Sequence, residues 1–456
     1  MMNKTILTLI TLLMPLISFS YDFNEGGLCY NFNEDGKSVT MTYEHLIMFA
    51  YDAPAPKERG YIGTIVIPST VNHEGKTYNV TAIDEGTFMG NSELERVVIP
   101  PTVTTIGDGA FNNCYRLKEV ILPPDLTEIS DHMFAESGLK SITIPAKVKT
   151  IGQSAFSGSS LKSIVIPPSV KTIGKSAFSA CRWMEEVTMG KNVESIGEAA
   201  FSICPAMKAI TLPSSLKEIG SRAFYECSGI ESVTIPASVI KIGDGAFNNC
   251  HALTSINVEK KNKIYDSRNK CNAIIEKGTN TLVAGCNSTK IPKSVTAIST
   301  EAFAGCYGIK TVDIPLSVET IGSQAFFYCK NIRELNIPNS VIKIEERAFC
   351  GCDSLETVTI ANSVKTIGYG AFLHDDHIKA VTLGSGVTTI EAWAFKGLDA
   401  LTTITSNIED VASVKMGKDV FDEIDKSACT LYVPKGTAAS YKEAPQWNDF
   451  KNIVEM

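Results

Sequence analysis

The chain has little of what catalysis or nucleic-acid binding usually requires. It contains six histidines and three tryptophans among 456 residues. Its net charge of −8 at pH 7 provides no basic field for nucleic acid or anionic lipid. It has no glycine-rich phosphate loop, no G-x-S-x-G and no H-E-x-x-H motif. The sequence therefore predicts a protein that is not an enzyme, needs no cofactor and binds no nucleic acid.

Long apolar runs are also missing beyond the N-terminus. Residues 1–20 predict a cleaved signal peptide, with Lys4 as the positive start, an apolar core at 6–17 and small residues at 18–20. An N-terminal membrane anchor is the alternative, but the apolar run is shorter than the roughly 20 residues that a span needs. We therefore expect an exported protein without a transmembrane segment, located at the cell surface, outside the cell or in the periplasm.

One unit recurs along most of the chain, and residues 233–250, VTIPASVIKIGDGAFNNC, are one copy of it. Its phenylalanine returns in steps that are mostly 23 residues long, at Phe88, Phe111, Phe134, Phe156, Phe178, Phe201, Phe224, Phe247, Phe303, Phe326, Phe349, Phe372 and Phe395. A period in this range predicts a solenoid, in which each coil buries its apolar side against its neighbours.

Within a unit, the apolar pattern predicts two extended segments and a turn. In residues 253–258 the alternation places Ile256 and Val258 inward and the residue between them outward. Val239 and Ile242 predict a second short segment on the opposite side of the coil. The Ala-Phe pair then lies in a short turn or a single helical turn. The glycine before that pair is replaced by serine or glutamate in some copies, so the position does not strictly require a positive φ.

The unit resembles the leucine-rich repeats of the BspA-like family, whose pattern is close to L-x-x-[IV]-x-[IL]-P-x-x-[VL]-x-x-I-G-x-x-A-F-x-x-C. The resemblance covers roughly residues 63–404. It implies an α/β-type, strand-rich solenoid: a right-handed superhelix with a parallel sheet, short helical turns and β caps at both ends. Members of the family are associated with adhesion and surface interaction, so the resemblance specifies the fold better than the ligand.

The repeat also predicts the domain organisation. Residues 21–62 form an N-terminal β cap with a hairpin of 28–32 and 38–43, and residues 63–404 form the solenoid. The step from Phe247 to Phe303 exceeds two periods, and a hairpin of 273–276 and 281–284 fills an insertion at 259–291. Residues 405–456 form a C-terminal cap, in which Thr437 begins a short helix that runs to Ala444.

Most of the thirteen cysteines occupy one position, three residues after the repeat phenylalanine. They are Cys114, Cys181, Cys204, Cys227, Cys250, Cys306, Cys329 and Cys352. Equivalent side chains on adjacent coils point the same way at strand spacing, whereas disulfide partners must face each other. Other copies carry Asn91, Ser159 or Asp375 there. We therefore expect a ladder of small buried groups that bond to backbone rather than a metal or redox array.

Two further groups of residues are candidates for covalent or metal chemistry. Cys271 and Cys286 flank the inserted hairpin symmetrically, so a disulfide between them is geometrically allowed, as are two thiols. His374-Asp375-Asp376-His377 contains metal-ligand residue types, but it lacks a third ligand and a second shell. A solvated polar turn is the preferred interpretation, and no metal site is predicted.

The exposed face of the strands is the remaining candidate site. Lys118, Lys140 and Lys162 align in three successive coils, Thr188, Thr211 and Thr234 form another row, and Thr359, Thr382 and Thr405 repeat it. Solvated strand residues of high β-propensity explain each one singly, but the face as a whole is the surface on which solenoids bind ligands.

Three hypotheses for function follow. The preferred one is a monomeric, exported, non-catalytic scaffold for protein interaction or adhesion, which binds macromolecules on a host or neighbouring cell. The alternative is a glycan-binding or capture protein of the cell envelope, although the three tryptophans are widely separated. A hydrolase built on the insertion would require a pocket with convergent polar groups there.

Overall fold

A computed structural model describes residues 21–43 and 61–456. Within them the chain forms a strand-rich β-solenoid of stacked coils, with partner residues of adjacent coils mostly 22 or 23 positions apart. The signal peptide predicted at 1–20 and part of the terminal segment predicted at 21–62 lie outside the described residues.

The strands are short, and many hold only two or three residues. In the first half they are β1 (Phe23–Glu25), β2 (Leu28–Phe32), β3 (Ser38–Thr42), β4 (Gly63–Val66), β5 (Thr70–His73), β6 (Lys76–Ile83), β7 (Leu94–Val98), β8 (Thr105–Ile106), β9 (Glu119–Ile121), β10 (Glu128–Ile129), β11 (Thr150–Ile151), β12 (Ser163–Val165), β13 (Thr172–Ile173), β14 (Glu186–Thr188), β15 (Ser195–Ile196), β16 (Glu218–Ile219), β17 (Ser232–Ile235), β18 (Lys241–Ile242) and β19 (Ser255–Val258).

The second half continues in the same way. Its strands are β20 (Tyr265–Asp266), β21 (Ile274–Glu276), β22 (Thr281–Ala284), β23 (Ala297–Ile298), β24 (Thr320–Ile321), β25 (Glu334–Asn336), β26 (Lys343–Ile344), β27 (Thr357–Thr359), β28 (Thr366–Ile367), β29 (Ala380–Leu383), β30 (Thr389–Ile390), β31 (Thr403–Ser406), β32 (Lys415–Met416), β33 (Thr430–Val433) and β34 (Asn452–Glu455). The described helices are two 3-10 turns, Arg268–Lys270 and Val411–Ser413, and α1 (Ala438–Glu443).

The coils build two rows of parallel strands, one from each extended segment of the unit. The first row consists of the sheets β4-β7-β9, β12-β14, β17-β19 and β25-β27-β29-β31-β33-β34. The second row contains β10-β11-β13-β15-β16-β18 and, after the insertion, β23-β24-β26-β28-β30-β32. Val187 of β14 is buried while Glu186 and Thr188 are exposed, as the predicted alternation requires. The parallel pairing is confirmed, and the handedness of the superhelix stays a prediction.

The short helical turns expected in the repeats are wrong for the described coils. The Ala-Phe segment is a turn without helix, because the residues two before and two after the phenylalanine have a left-handed backbone. Around Phe201 these are Ala199, with φ 52°, and Ile203, with φ 58°. A helix needs negative φ throughout, so two left-handed residues four positions apart prevent it.

The glycine that follows the second strand serves close packing. A Cβ on Gly197 would lie 2.7 Å from the carbonyl carbon of Gly174 in the preceding coil, and no positive φ is found there. Ser130 is accommodated at the same position because its hydroxyl donates to the carbonyl oxygens of Ile106 and Gly107. The prediction that this site does not require a positive φ is confirmed.

Stacked phenylalanine rings form the centre of the core. The centroids of neighbouring rings from Phe88 to Phe247 are 5.1–5.6 Å apart, with planes within 17° of parallel. A second stack runs from Phe303 to Phe421. Each ring is fixed by its backbone as well, since the N–H of Phe224, for example, donates to the carbonyl of Ala246 in the next coil at 2.8 Å.

The insertion separates these two stacks. The predicted hairpin is confirmed as β21 and β22, which pair antiparallel. It lies within the second row, because β22 pairs in parallel with β23. The buried apolar residues form two clusters that meet here, one from Phe23 to Cys286 and the other from Cys271 to Phe450. Gly285 packs directly against the ring of Phe303.

A buried ion pair joins the two halves across the insertion. Glu301 is only 6% exposed, and its carboxylate accepts hydrogen bonds from the guanidinium of Arg222 and the amide of Asn248. The N–H of Asn249 also donates to the carbonyl of Ala304 at 3.1 Å. The turns on either side of the insertion therefore stay in contact although 50 residues intervene.

The terminal segments extend the strand rows. The predicted N-terminal hairpin is confirmed, since β2 and β3 pair antiparallel, and β3 pairs in parallel with β6. At the other end Phe421 stacks on Phe395, and the rings of Trp447 and Phe450 meet its edge or face at steep angles. The core thus continues beyond residue 404, where the sequence pattern fades. The capping role of both segments stays a prediction.

The predicted C-terminal helix is present as α1, but the predicted side-chain cap is wrong. The Thr437 hydroxyl makes no capping bond to a helical N–H. It donates instead to the carbonyl of Pro434 at 2.7 Å, because the turn that precedes the helix brings this acceptor closer. The N–H of Ala438 is satisfied by Glu455 of β34.

Replacing Gly285 by alanine tests the packing at the insertion. A Cβ at this position would lie 2.1 Å from Cε1 of Phe303. We expect Gly285→Ala to lower the free energy of unfolding by about 1–3 kcal/mol, because the ring or backbone must move. Urea denaturation measures this, with Gly278→Ala as the matched control, since nothing lies within 4 Å of a Cβ on Gly278. Equal stability of the two variants would contradict the packing described here.

Candidate functional site

The cysteine position is a structural ladder, as the sequence predicts. The sulfur of Cys204 donates to the carbonyl of Phe178 in the preceding coil at 3.2 Å, and that of Cys227 donates to the carbonyl of Phe201 at 3.0 Å. The same bond is made by Cys114, Cys181, Cys250, Cys329 and Cys352. Each thiol therefore satisfies a buried carbonyl that the turn leaves without a backbone partner.

Burial also makes these thiols poor nucleophiles. Desolvation raises the pKa of Cys250 and of Cys329 to about 12, although a backbone hydrogen bond acts in the opposite direction. A thiol with so high a pKa has almost no reactive thiolate at neutral pH. The geometry of the column thus supports packing and hydrogen bonding rather than redox or acyl-transfer chemistry.

The His374–His377 turn is divided between the core and the surface. Asp375 takes the cysteine position and is fully buried, with its Oδ1 accepting a hydrogen bond from the N–H of Cys352 at 2.6 Å. His374 and Asp376 are exposed. Residues 21–43 and 61–456 contain no group of three or more histidine, cysteine or acidic side chains that could hold a metal ion. The predicted solvated turn therefore holds for the neighbours of Asp375 but is wrong for Asp375 itself.

Burial strongly perturbs Asp375. Desolvation raises the pKa of its carboxyl group well above the ordinary value. Its second oxygen, Oδ2, has no hydrogen-bond partner within the described ranges. A protonated carboxyl group is the form that suits this site, because an ion there would be both desolvated and unpaired.

Cys271 and Cys286 lie at the base of the inserted hairpin, and both are buried thiols in the structure. The sulfur of Cys286 donates to the carbonyl of Asn272 at 3.3 Å, and that of Cys271 contacts the carbonyl of Ala273 at 3.8 Å. A bridge between them stays a prediction.

The lysines of the candidate face are exposed at the start of the first strand row. Lys118 forms an ion pair with Glu95 of the preceding coil at 2.9 Å. Lys140 and Lys162 form no ion pair within the part of the chain that the structure describes. Ile121 and Val165, on the same strands, are 42% and 64% exposed. The N-terminal third of the first row thus combines two uncompensated cations with exposed aliphatic side chains.

The threonines occupy one column, at the middle outward position of the first-row strands. Thr359 pairs in register with Thr382, and Thr382 with Thr405. Thr188, Thr211, Thr234 and Thr359 are exposed, whereas Thr382 and Thr405 are half-buried. Thr188 continues the column from Val165, its register partner in β12. The structure therefore brings the lysines and the first threonines onto one surface.

A cavity of about 460 Å³ lies beside the insertion, on the side of the first row. Phe303 and Phe326 lie at its apolar end, and Lys290, Lys310 and Asp313 are among its polar lining. No histidine lines it, and one of its hydroxyl groups, that of Thr289, donates to the carbonyl of Asn272 at 2.6 Å. The cavity therefore lacks the pairing of nucleophile and base that a hydrolase of the serine type would need.

Comparison with known proteins defines the class first: a leucine-rich repeat solenoid. The profile described as "BspA type Leucine rich repeat region" matches at residues 81–208, 171–277 and 274–402. These matches span well over half of the chain, so the protein belongs to the BspA-type leucine-rich repeat family. The resemblance noted in the sequence is confirmed. Among curated proteins no sequence matches this chain.

Solved structures of bacterial proteins share the fold. A leucine-rich repeat protein from Bacteroides ovatus is 26% identical, with a TM-score of 0.59 and with 84% of this chain and 94% of that chain covered. A leucine-rich cell surface protein from Faecalibacterium prausnitzii gives the same four values. The pneumococcal vaccine antigen PcpA is 18% identical, with a TM-score of 0.58 and coverage of 95% and 98%, and shows the fold alone.

No helix in residues 21–43 and 61–456 combines the length and apolar character needed to cross a membrane.

The raised pKa of Asp375 predicts a pH-dependent stability. In the unfolded chain the group ionises near pH 4, whereas in the folded protein it stays protonated to a higher pH. Its contribution to stability is therefore complete below about pH 4 and is lost as the pH rises through the folded pKa. We expect the free energy of unfolding to fall by about 1–3 kcal/mol more between pH 5 and 8 in the wild type than in Asp375→Asn.

Urea denaturation at the two pH values measures this difference. Asp376→Asn is the matched control, because Asp376 is the exposed neighbour. Wild type, Asp375→Asn and Asp376→Asn with the same pH dependence would contradict a neutral buried carboxyl group.

Proposed function

We propose that this protein is an exported, non-catalytic scaffold for protein interaction or adhesion, which binds macromolecules on a host or neighbouring cell. The observation that carries the proposal is the division of each coil between a repeated interior and a variable exterior. The phenylalanines and most of the cysteine-column residues are buried in every coil, while the outward residues of the first row change from coil to coil. Repeat proteins bind partners through such surfaces.

Family membership supports an interaction role, because repeat solenoids of this class present extended surfaces rather than enclosed reaction sites. The Faecalibacterium structure is that of a cell surface protein. The predicted signal peptide at residues 1–20 would bring this chain to the same side of the membrane. We propose a location at the cell surface, outside the cell or in the periplasm.

The basic and aliphatic part of the first row is the strongest candidate for the binding surface. Lys140 and Lys162 have no carboxylate to neutralise them among the described residues, unlike Lys118. Val165 is more than half exposed beside them. A partner with acidic groups around an apolar centre would complement this arrangement, because charge steers association and apolar contact supplies affinity.

Glycan binding is the second candidate, and the structure offers it one specific observation. The rings of Tyr369 and Trp393 lie 5.3 Å apart on the turn side of the solenoid, with Arg347 and Lys396 over them. The structure thus pairs one of the separated tryptophans with a tyrosine from the neighbouring coil. Aromatic faces of this kind stack on sugar rings, but the basic side chains already cover these two.

Charge reversal on the first row tests the proposed function. Purified mature protein is applied to a panel of matrix proteins, whole cells and glycans, and binding is measured by biolayer interferometry and flow cytometry. We expect binding to a protein or cell-surface partner, and we expect Lys140→Glu combined with Lys162→Glu to weaken it about tenfold or more.

The matched control reverses two exposed lysines next to or within the second row, Lys149→Glu with Lys241→Glu. This variant carries the same net charge and should bind as the wild type does. Equal loss in both variants, or no binding to any member of the panel, would contradict the proposal. Binding to glycans that the first-row variant leaves intact would favour the second candidate.

A further inference from the structure

The cavity beside the insertion lies between two consecutive coils of the first row. Residues 286–291 line one side of it and residues 308–313 line the other. Neither segment contains a strand, so the parallel ladder of the first row is interrupted here. The opening lies on the same side of the coil as the exposed lysines and threonines described above.

One substitution in the repeat accounts for the cavity. Counting back by 23 residues, Thr289 stands where later coils have Val312, Leu335 and Val358. Leu335 and Val358 are each 1% exposed and fill the space between coils. The Thr289 hydroxyl instead donates to the carbonyl of Asn272 at 2.6 Å, and Val312 is left half-buried. A polar side chain at a core position thus leaves apolar atoms without neighbours.

The mouth of the cavity carries uncompensated charge. Lys290 and Lys310 are exposed and form no ion pair within residues 21–43 and 61–456. Asp313 is also exposed there, so the net charge of these three groups is +1. By contrast, Lys379, which stands three coils beyond Lys310 at the same repeat position, is paired with Glu356 at 2.8 Å. The cavity is therefore a basic opening with an apolar interior.

We infer that this cavity receives an apolar anchor side chain of an acidic polypeptide partner. The anchor packs against Phe303, Phe326 and Val312, while carboxylates beside it in the partner's sequence lie near Lys290 and Lys310. The volume of about 460 Å³ lies within the range of small-ligand sites, roughly 300–1,000 Å³, and holds one large side chain with its adjoining backbone. Interfaces commonly derive most of their affinity from an anchor of this kind in a desolvated pocket.

The inference rests on the proposed function, since it supplies the binding pocket that an interaction scaffold needs. It differs from the lysine surface at 118–165 in position and in residues. A partner that contacts both regions would span the first row from the early coils to the insertion. Each region can be removed by substitution without altering the other.

Saturation-transfer NMR on the full mature protein tests the inference with defined peptides. The probe is acetyl-Asp-Phe-Asp-amide, and the comparison peptides are acetyl-Asp-Ala-Asp-amide and acetyl-Lys-Phe-Lys-amide. We expect transfer to the phenylalanine ring of the first peptide and transfer about fivefold weaker or less for the other two. Thr289→Ile should abolish the signal, because it fills the cavity with the side-chain type that the repeat uses elsewhere.

Two further variants make the result decisive. Lys290→Glu combined with Lys310→Glu should weaken the signal about fivefold or more, whereas Lys149→Glu with Lys241→Glu should leave it unchanged. Thr289→Ile should also raise the thermal midpoint, which shows that lost binding is not lost folding. Unchanged transfer in Thr289→Ile, or no transfer with the wild type, would overturn the inference.

The outcomes also separate this inference from the proposed function. Peptide binding at the cavity without binding to any surface panel would leave the inference in place and contradict the scaffold proposal. Partner binding that Thr289→Ile does not weaken would contradict the inference alone. Binding of neutral sugars that Thr289→Ile blocks would overturn the assignment to a polypeptide.

Discussion

Each coil of this protein can bury its apolar side chains only against the coil before it and the coil after it. The stack of phenylalanine rings satisfies this constraint, with neighbouring centroids 5.1 Å apart at Phe178 and Phe201 and 5.6 Å apart at Phe201 and Phe224. Other features of the repeat depend on it. Cysteine thiols bond to the carbonyl groups of the preceding coil, and glycines such as Gly197 let the backbones approach. The repeated residues therefore encode contacts between coils, not a binding site.

Much of this architecture is predictable from the sequence, because a stacked core needs the same residue type at the same place in every coil. The period of the phenylalanines predicts the solenoid, and the mixture of cysteine, asparagine and serine at one position predicts the buried ladder. The inserted hairpin is predictable from its turn residues, Gly278 and Asn280, between two alternating strands. These signals are local or periodic, and the structure places each of them where the sequence indicates.

Other features have no comparable signal. The left-handed residues on either side of each phenylalanine are as varied as Ala199, Ile203 and Arg222, so no residue type marks them. The neighbouring coils hold this backbone in place through hydrogen bonds, which sequence does not display. Phe421 is missed because it follows Phe395 by 26 residues, and the longer loop hides the step. The cavity at Thr289 is a departure from the repeat, and its effect depends on where the hydroxyl group finds an acceptor.

The same contrast separates fold from function. Residues that recur are buried and make one coil fit the next, so they carry no information about a partner. Lys140, Lys162 and Thr289 differ from their equivalents in other coils, and each changes what the first row presents to solvent. The insertion at 259–291 divides the apolar core into two clusters, and the ion pair of Arg222 with Glu301 keeps the turns of the two halves in contact.

Hydrogen exchange measured by mass spectrometry on Phe201→Leu tests the nearest-neighbour account most directly. The substitution removes one ring from the middle of the first stack. We predict that amide protection falls most in the coils of Phe178, Phe201 and Phe224, less in more distant coils of that stack, and not at all in the coils from Phe326 onward. An equal loss of protection along the whole chain, or a loss confined to the substituted turn, would contradict the account.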